Sequence, residues 1–240
     1  MTQKLDILVL AAHPDDAELS CSGSILAHVA LGLKVGIVDL TKGELGTRGT
    51  PEIRANEAKA ASEILGLSAR ENLSLPDGYL TNDTPSQLKI VQAIRKYRPE
   101  VLWSNAMTDR HPNHGTGADL AEDAYFLSGL RKIETFENEE LQDAWRPRKH
   151  FHYIQDRYIK PDIVVDISAH WEGKLNSIKA YKSQFFNPDS GEPDTYISSK
   201  SFWDFLEARS REMGHAIGVE FGEGFTSTSQ LGTSNLMDIL

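Results

Sequence analysis

Cysteine is nearly absent: Cys21 is the single thiol in 240 residues. One thiol excludes an internal disulfide and a zinc site built on cysteines, and it fits a reducing cytoplasm. Cys21 itself reads as a small buried apolar residue on a helix. Long apolar runs are also missing. Nothing approaches the roughly 20 apolar residues that span a bilayer. The run 5–12 is too short for a signal-peptide core and lacks a cleavage site. Positive charge is scarce, with 25 Lys and Arg against 35 Asp and Glu and a formal net charge of -10. An acidic surface repels nucleic acid and anionic membranes, whereas a small anion meets only the local field of a pocket. These absences predict a cytoplasmic protein whose partner is a small molecule, with neither nucleic acid nor membrane.

Repeats and low-complexity tracts are absent too. With 240 residues, 40% of them hydrophobic, the chain can fill the core of one globular domain, 1–240. The run 5–12 is apolar, rich in β-branched residues and ends in polar ones, as a strand covered on both faces would. Residues 34–40, 72–75 and 100–104 read as further strands. Helices are predicted over 17–32, over 50–65, where Thr50 caps and Pro51 opens the first turn, and over 84–97, where Thr84-Pro85-Ser86-Gln87 resembles a capping box. The connections are too long for hairpins, so a parallel sheet with helices on both faces follows. The second half is less regular. Strands at 150–154 and 162–167 and helices at 170–181 and 199–213 are predicted, and the charged stretch 131–148 reads as an exposed loop.

Open parallel sheets bind ligands beyond the carboxyl ends of their strands. Four polar clusters fall at that edge: His13-Pro14-Asp15-Asp16-Ala17-Glu18, the glycine-rich 41–49 leading to Arg54, Pro76-Asp77-Gly78-Tyr79, and 105–117 with Asp109, Arg110, His111 and His114. Two imidazoles and one carboxylate make a sound catalytic zinc set with an open position. Spacings of three residues, His13 to Asp16 and His111 to His114, let both members of a pair reach one ion. Asp15, beside a ligand, can take a proton from water. Gly43, Gly46 and Gly49 do not follow the dinucleotide fingerprint and read as tight backbone turns beside a pocket. His28 within a helix, His150 and His152 on one strand face, His170 and His215 all read as structural.

These residues resemble the LmbE-like (PIG-L) superfamily of zinc N-deacetylases. Ala12-His13-Pro14-Asp15-Asp16, with Glu18 and Gly23, matches its first motif, and Arg110-His111-Pro112-Asn113-His114 its second. The resemblance implies a Rossmann-like three-layer α/β sandwich with a mostly parallel sheet and an irregular C-terminal portion. It also implies His13, Asp16 and His114 as metal ligands, Asp15 as general base, His111 at the oxyanion or leaving amine, and Arg54 on the substrate. The segment 41–54 looks like the branch that deacetylates N-acetylglucosaminyl-malate in bacillithiol biosynthesis. On that reading Arg54 and Arg110 grip the malate carboxylates, and Tyr196 belongs to a lid over 191–199. Zinc is the expected metal, and an N,O ligand set also suits iron(II) or manganese. Relatives commonly assemble, which implies a homo-oligomer. The rival readings are deacetylation of another N-acetylglucosamine conjugate or a chito-oligosaccharide, and a non-catalytic sugar- or nucleotide-binding module. One position departs from the family pattern. Asn113 stands where Asp is frequent, so it can orient a ring but adds no charge beside His111, and Asp109 is the expected substitute partner of that ring.

Overall fold

All five residues of the first strand, β1 (Ile7–Ala11), are buried, because successive side chains point to opposite faces and both faces are covered. Leu8 and Leu10 enter one apolar core with Ile90, Ile94, Leu120 and Ala124. Ile7, Val9 and Ala11 enter another with Ala17, Cys21 and Ile25. The structure, a computed structural model, describes residues 4–185 and 191–238. After β1 come α1 (Asp16–Ala30), β2 (Val35–Thr41), α2 (Pro51–Leu65), β3 (Ala69–Leu75), α3 (Thr84–Tyr97), β4 (Val101–Ser104) and α4 (Pro112–Ser128). The second half holds β5 (Phe136–Glu137), β6 (Glu140–Leu141), β7 (Lys149–Tyr153), β8 (Ile163–Asp166), α5 (Trp171–Lys179), α6 (Lys200–Ala216) and β9 (Gly222–Thr226).

The main sheet has seven strands in the order β3-β2-β1-β4-β7-β9-β8. The first five run parallel, and β9 is antiparallel to both its neighbours. Helices α1, α2 and α5 pack together over one face, and α3 and α4 over the other. This is the three-layer α/β sandwich with a mostly parallel sheet. The chain winds outward from β1 to β3 and then returns to place β4 on the other side of β1. The carboxyl ends of β1 and β4 therefore flank the point where strand order reverses, which is where such sheets open a crevice.

Four sequence expectations need correction. Residues 112–128 form a helix, α4, where the sequence shows only the polar cluster 105–117 and no helical period. Its first turn is polar because it faces a pocket, so apolar periodicity begins only after Gly117. Strand β9 escaped notice because Gly222-Glu223-Gly224 has low strand propensity, yet it is buried between β7 and β8. The stretch 131–148 carries a small hairpin, β5–β6, whose turn residues Asn138 and Glu139 have φ of 49° and 69°, as a two-residue hairpin turn requires. Finally, α3 is capped by the carboxylate of Asp83, which accepts the Ser86 N–H, and Thr84 is already helical. The caps of α2 are as the sequence implies, with Thr50 accepting the Ile53 N–H and Gly66 closing the helix in a left-handed conformation.

Helix α1 is broken at Cys21, whose φ is -140°. Just beyond the break, the N–H groups of Gly23 and Ser24 donate to the two carboxylate oxygens of Glu223 on β9, at 3.0 and 2.6 Å. Lys174 Nζ donates to the same carboxylate at 2.7 Å. Glu223 thus ties α1, α5 and β9 together in the interior. Removing one partner of a buried pair leaves the other charge uncompensated, at a cost of about 3–5 kcal/mol. Glu223→Ala is expected to lower unfolding free energy by that amount in urea titration. A loss under about 1 kcal/mol would show that Lys174 finds water instead.

Candidate active site

The turn between β1 and α1 is held by Asp16. Its carboxylate accepts the backbone N–H of His13 at 3.0 Å, while the N–H of Asp16 donates back to the His13 carbonyl. Pro14 stiffens the turn, and Asp15 adopts a φ of 114°. A left-handed backbone is strained for Asp and persists only where its surroundings hold it. Here they do: Arg54 Nη2 donates to Asp15 Oδ2 at 2.8 Å and to the Pro14 carbonyl. Arg54 reaches that carbonyl across Gly43, whose φ is 64° and where a Cβ would lie 2.0 Å from Arg54 Nη1. The glycine-rich segment is therefore a passage for the arginine.

On the other side of the reversal point, Asn105 follows β4 directly. Its side-chain oxygen accepts the Ala12 N–H at 2.9 Å and its amide donates to Asp16 Oδ2 at 3.1 Å. Gln155, beyond β7, adds a bond to Asp16 Oδ1. Helix α4 then opens with His111 as its N-cap, the ring Nδ1 accepting the Asn113 N–H at 3.2 Å. His114, one turn later, points Nε2 at Asp16 Oδ1, 3.1 Å away, and Nδ1 at Asp109 Oδ2, 2.6 Å away. His13 has the same arrangement, with Nδ1 3.4 Å from Asp16 Oδ2 and Nε2 3.0 Å from Asp77 Oδ1.

The donor set fits a divalent cation. Ligand atoms about 2.0 Å from a tetrahedral ion lie about 3.3 Å from one another, and the two Asp16–imidazole separations, 3.4 and 3.1 Å, bracket that value. Each imidazole turns its second nitrogen to a carboxylate, the usual way a metal-ligating ring is oriented. One nitrogen from each of His13, His111 and His114 also lies within 4.8 Å of the others. The electrostatics show the same demand for positive charge. Burial disfavours the imidazolium of His13, yet Asp16 and Asp77 raise its pKa from 6.5 to about 9. At His114 burial is likewise outweighed, by Asp16 and Asp109, and the value reaches about 10. Burial would raise Asp16, but His114 and His13 hold it well below the carboxylate range. Asp77, despite partial burial, is drawn down to about 2 by His13. His111 goes the other way, to about 4, through burial and the neighbouring charges of His13 and His114. Burial takes Asp15 up to about 7 against the pull of Arg54.

The eight residues expected to act in catalysis, metal binding or substrate binding line one pocket: His13, Asp15, Asp16, Arg54, Arg110, His111, His114 and Tyr196. Their surroundings differ from expectation in several places. Asp109 partners His114, not His111. The Asn113 side chain donates to Asp77 at 2.9 Å, and only its backbone N–H serves His111. Arg54 directs its guanidinium to Asp15 and to the carbonyls of Pro14 and Gly43. Arg110 sits at the rim, donating to Asp156 at 2.9 Å and lying 4.4 Å over the Tyr196 ring. Tyr196, half exposed, donates its hydroxyl to the same Asp156. Sequence reasoning gave no role to Asp77, Asn105, Gln155 or Arg209. Asp77 and Asn105 follow strand ends, so their positions were a usable signal, whereas Gln155 and Arg209 reach the pocket only through tertiary folding. Arg209 lines the pocket from α6 over the Phe205 ring, with no hydrogen bond or ion pair to any described residue.

Comparison with known proteins accords with this geometry. Residues 8–125 match the family described as PIG-L, GlcNAc-PI de-N-acetylase. The conserved protein TT1542 of Thermus thermophilus superposes with a TM-score of 0.84 at 38% identity, over 96% of this chain and 98% of that one. A diacetylchitobiose deacetylase of Thermococcus kodakarensis is 29% identical over 195 residues, 75% of this chain and 70% of the relative. A 4-oxalmesaconate hydratase of Pseudomonas putida is 25% identical over 76% of this chain and 75% of its own length. A probable N-acetyl-alpha-D-glucosaminyl L-malate deacetylase 2 of Bacillus anthracis is 25% identical over 77% of this chain and 84% of its own length. With the motifs, the fold and these matches in agreement, the chain belongs to the PIG-L (LmbE-like) family of metal-dependent deacetylases.

Proposed function

We propose that the chain removes the acetyl group from N-acetylglucosaminyl-malate, with His13, Asp16 and His114 holding a zinc ion. The observation that carries the chemistry is the Asp16 carboxylate set between two imidazoles, 3.4 Å from His13 and 3.1 Å from His114, with Asp15 as the next residue. His111 is the less suitable third ligand. Its Nδ1 accepts an N–H from Asn113, so in the neutral ring the proton is on Nε2, which then donates instead of ligating. Zinc in this cradle supplies Lewis-acid polarisation of the acetamide carbonyl and acidifies water.

The remaining work falls to the protein. Asp15 has one oxygen engaged by Arg54, which leaves the other to take a proton from the attacking water. As the C–O bond forms, the developing oxyanion accepts a hydrogen bond from His111 Nε2. The C–N bond then breaks, Asp15 returns its proton to the departing amine, and acetate and a glucosamine conjugate leave.

An acidic substrate is favoured by the cations of the pocket. Arg110 is neutralised by Asp156 at 2.9 Å, whereas Arg209 feels Asp156 only through space and makes no ion pair at bonding distance with a described residue. A guanidinium at the pocket wall is well suited to a carboxylate of the malate. The relatives offer a neutral alternative in diacetylchitobiose, which gives Arg209 nothing to pair with.

Asp15→Asn is expected to retain metal and lose turnover by about 10²–10⁴-fold; wild-type rates in amine-release assays would remove Asp15 as base. His114→Ala is expected to lose one metal equivalent in elemental analysis together with activity. Retention of that equivalent would sink the ligand assignment. Arg209→Ala removes a charge-assisted contact of about 1.5–3 kcal/mol, so KM for N-acetylglucosaminyl-malate should rise about 10- to 150-fold, with free N-acetylglucosamine unaffected. Equal effects on both would detach Arg209 from the acidic end. Hydration of an unsaturated dicarboxylate without acetate release would move the chain towards its hydratase relative.

A further inference from the structure

We propose that Glu122, His150 and His152 form a second divalent-cation site, with zinc the ion its N,N,O donors suit. His150 and His152 are alternate residues of β7, so both rings project to the same face of the sheet. That face is covered by α4, which contributes Glu122. The rings lie 4.4 Å apart, and the carboxylate closes the group: Glu122 Oε2 is 2.9 Å from His150 Nδ1 and 3.5 Å from His152 Nε2. One donor atom from each of the three residues lies within 4.8 Å of the others. The separations again bracket the roughly 3.3 Å between donors on a tetrahedral zinc.

The remaining ring nitrogens decide what the inward ones carry. His152 Nδ1 donates to the backbone carbonyl of Asn105 at 2.8 Å, so the neutral ring presents a bare lone pair at Nε2. That nitrogen is buried and has no hydrogen-bond partner among the described residues, although the ring is 1% exposed. It faces a carboxylate oxygen, and a lone pair facing an anion is repelled unless a cation sits between them. His150 Nε2 lies 2.8 Å from Ser104 Oγ. With the hydroxyl accepting, Nδ1 is free to ligate. Each inward nitrogen is thus backed by an oxygen on the far side of its ring, the orientation that metal-ligating imidazoles need. Glu122, whose side chain is 37% exposed, gives an ion its route in.

The site has a structural role through Asn105. The backbone carbonyl of that residue holds His152, and its side chain holds Ala12 and Asp16. An ion at His152 therefore fixes the end of β4 on which the catalytic turn leans. It is separate from the His13, Asp16 and His114 cradle, so the two can be tested independently.

The deciding experiment is a zinc-edge anomalous difference map of crystals of the full chain loaded with zinc. The proposal predicts a peak bonded to His150 Nδ1, His152 Nε2 and Glu122, whatever the occupancy of the His13 cradle. No peak at that position at saturating zinc overturns it, and a peak there alone would count against the catalytic assignment instead. In solution, His114→Ala is expected to keep one zinc equivalent after gel filtration into metal-free buffer, and His114→Ala with Glu122→Gln to keep none. An equivalent surviving in the folded double variant would overturn the proposal, because it would lie elsewhere.

Discussion

The carboxylate of Asp16, 3% exposed, takes the backbone N–H of His13 and the amides of Asn105 and Gln155, and lies against ring nitrogens of His13 and His114. A buried carboxylate with that many neighbours is stable only if positive charge is near. Asp15, Asp77 and Asp109 gather around it, and Arg54 is the one guanidinium bonded directly to any of them among the described residues. The two imidazoles respond by binding protons more tightly than free histidine. A dication in the same place would satisfy both carboxylate oxygens and release those protons, because a ligating imidazole is neutral. The cluster is therefore arranged around a charge that the chain itself does not supply.

The position of that cluster follows from the order of the strands. Reversal between β1 and β4 leaves their carboxyl ends side by side. Asn105 joins the two ends directly, taking the Ala12 N–H with one atom and giving an amide proton to Asp16 with another. The groups proposed to move the proton and to hold the ion therefore sit at the ends of central strands, where catalytic groups keep their geometry. The outer wall has a different origin. Arg209 comes from α6, and Asp156 and Tyr196 from loops, with Arg110 stacked between them. Chemistry belongs to the parallel half of the sheet, and contact with the rest of the substrate belongs to the half where the sheet becomes mixed.

The sequence disclosed the first of these more readily than the second. Strand ends, caps and the His13–Asp16 turn are local, so the polar residues that follow an apolar run marked the site. Helix α4 was concealed by its own function: Asn113, His114, Gly115 and Gly117 face the pocket or pack closely, and apolar periodicity is absent where it would normally announce a helix. The partner of Asp109 was misassigned for a related reason. Along a loop His111 is nearer, but once α4 forms, one helical turn brings His114 to Asp109. Arg209 lies more than ninety residues from His114 in sequence, and no period or motif connects them. Only the packing of α6 beside the sheet places that charge in the pocket.

His150 and His152 show where period-based reading stops. Two histidines on alternate strand residues share a face, and on sequence grounds a buried structural role was the natural reading. A structural role, however, requires each ring nitrogen to have a partner. Three of the four have one in Ser104, Glu122 or the Asn105 carbonyl, and the fourth, His152 Nε2, faces a carboxylate without a proton to share. A cation held by both rings and Glu122 meets that need and leaves both imidazoles neutral. Asn105 would then have a metal-ligating ring on its carbonyl and a metal-ligating carboxylate on its amide, so the end of β4 would be fixed from both sides.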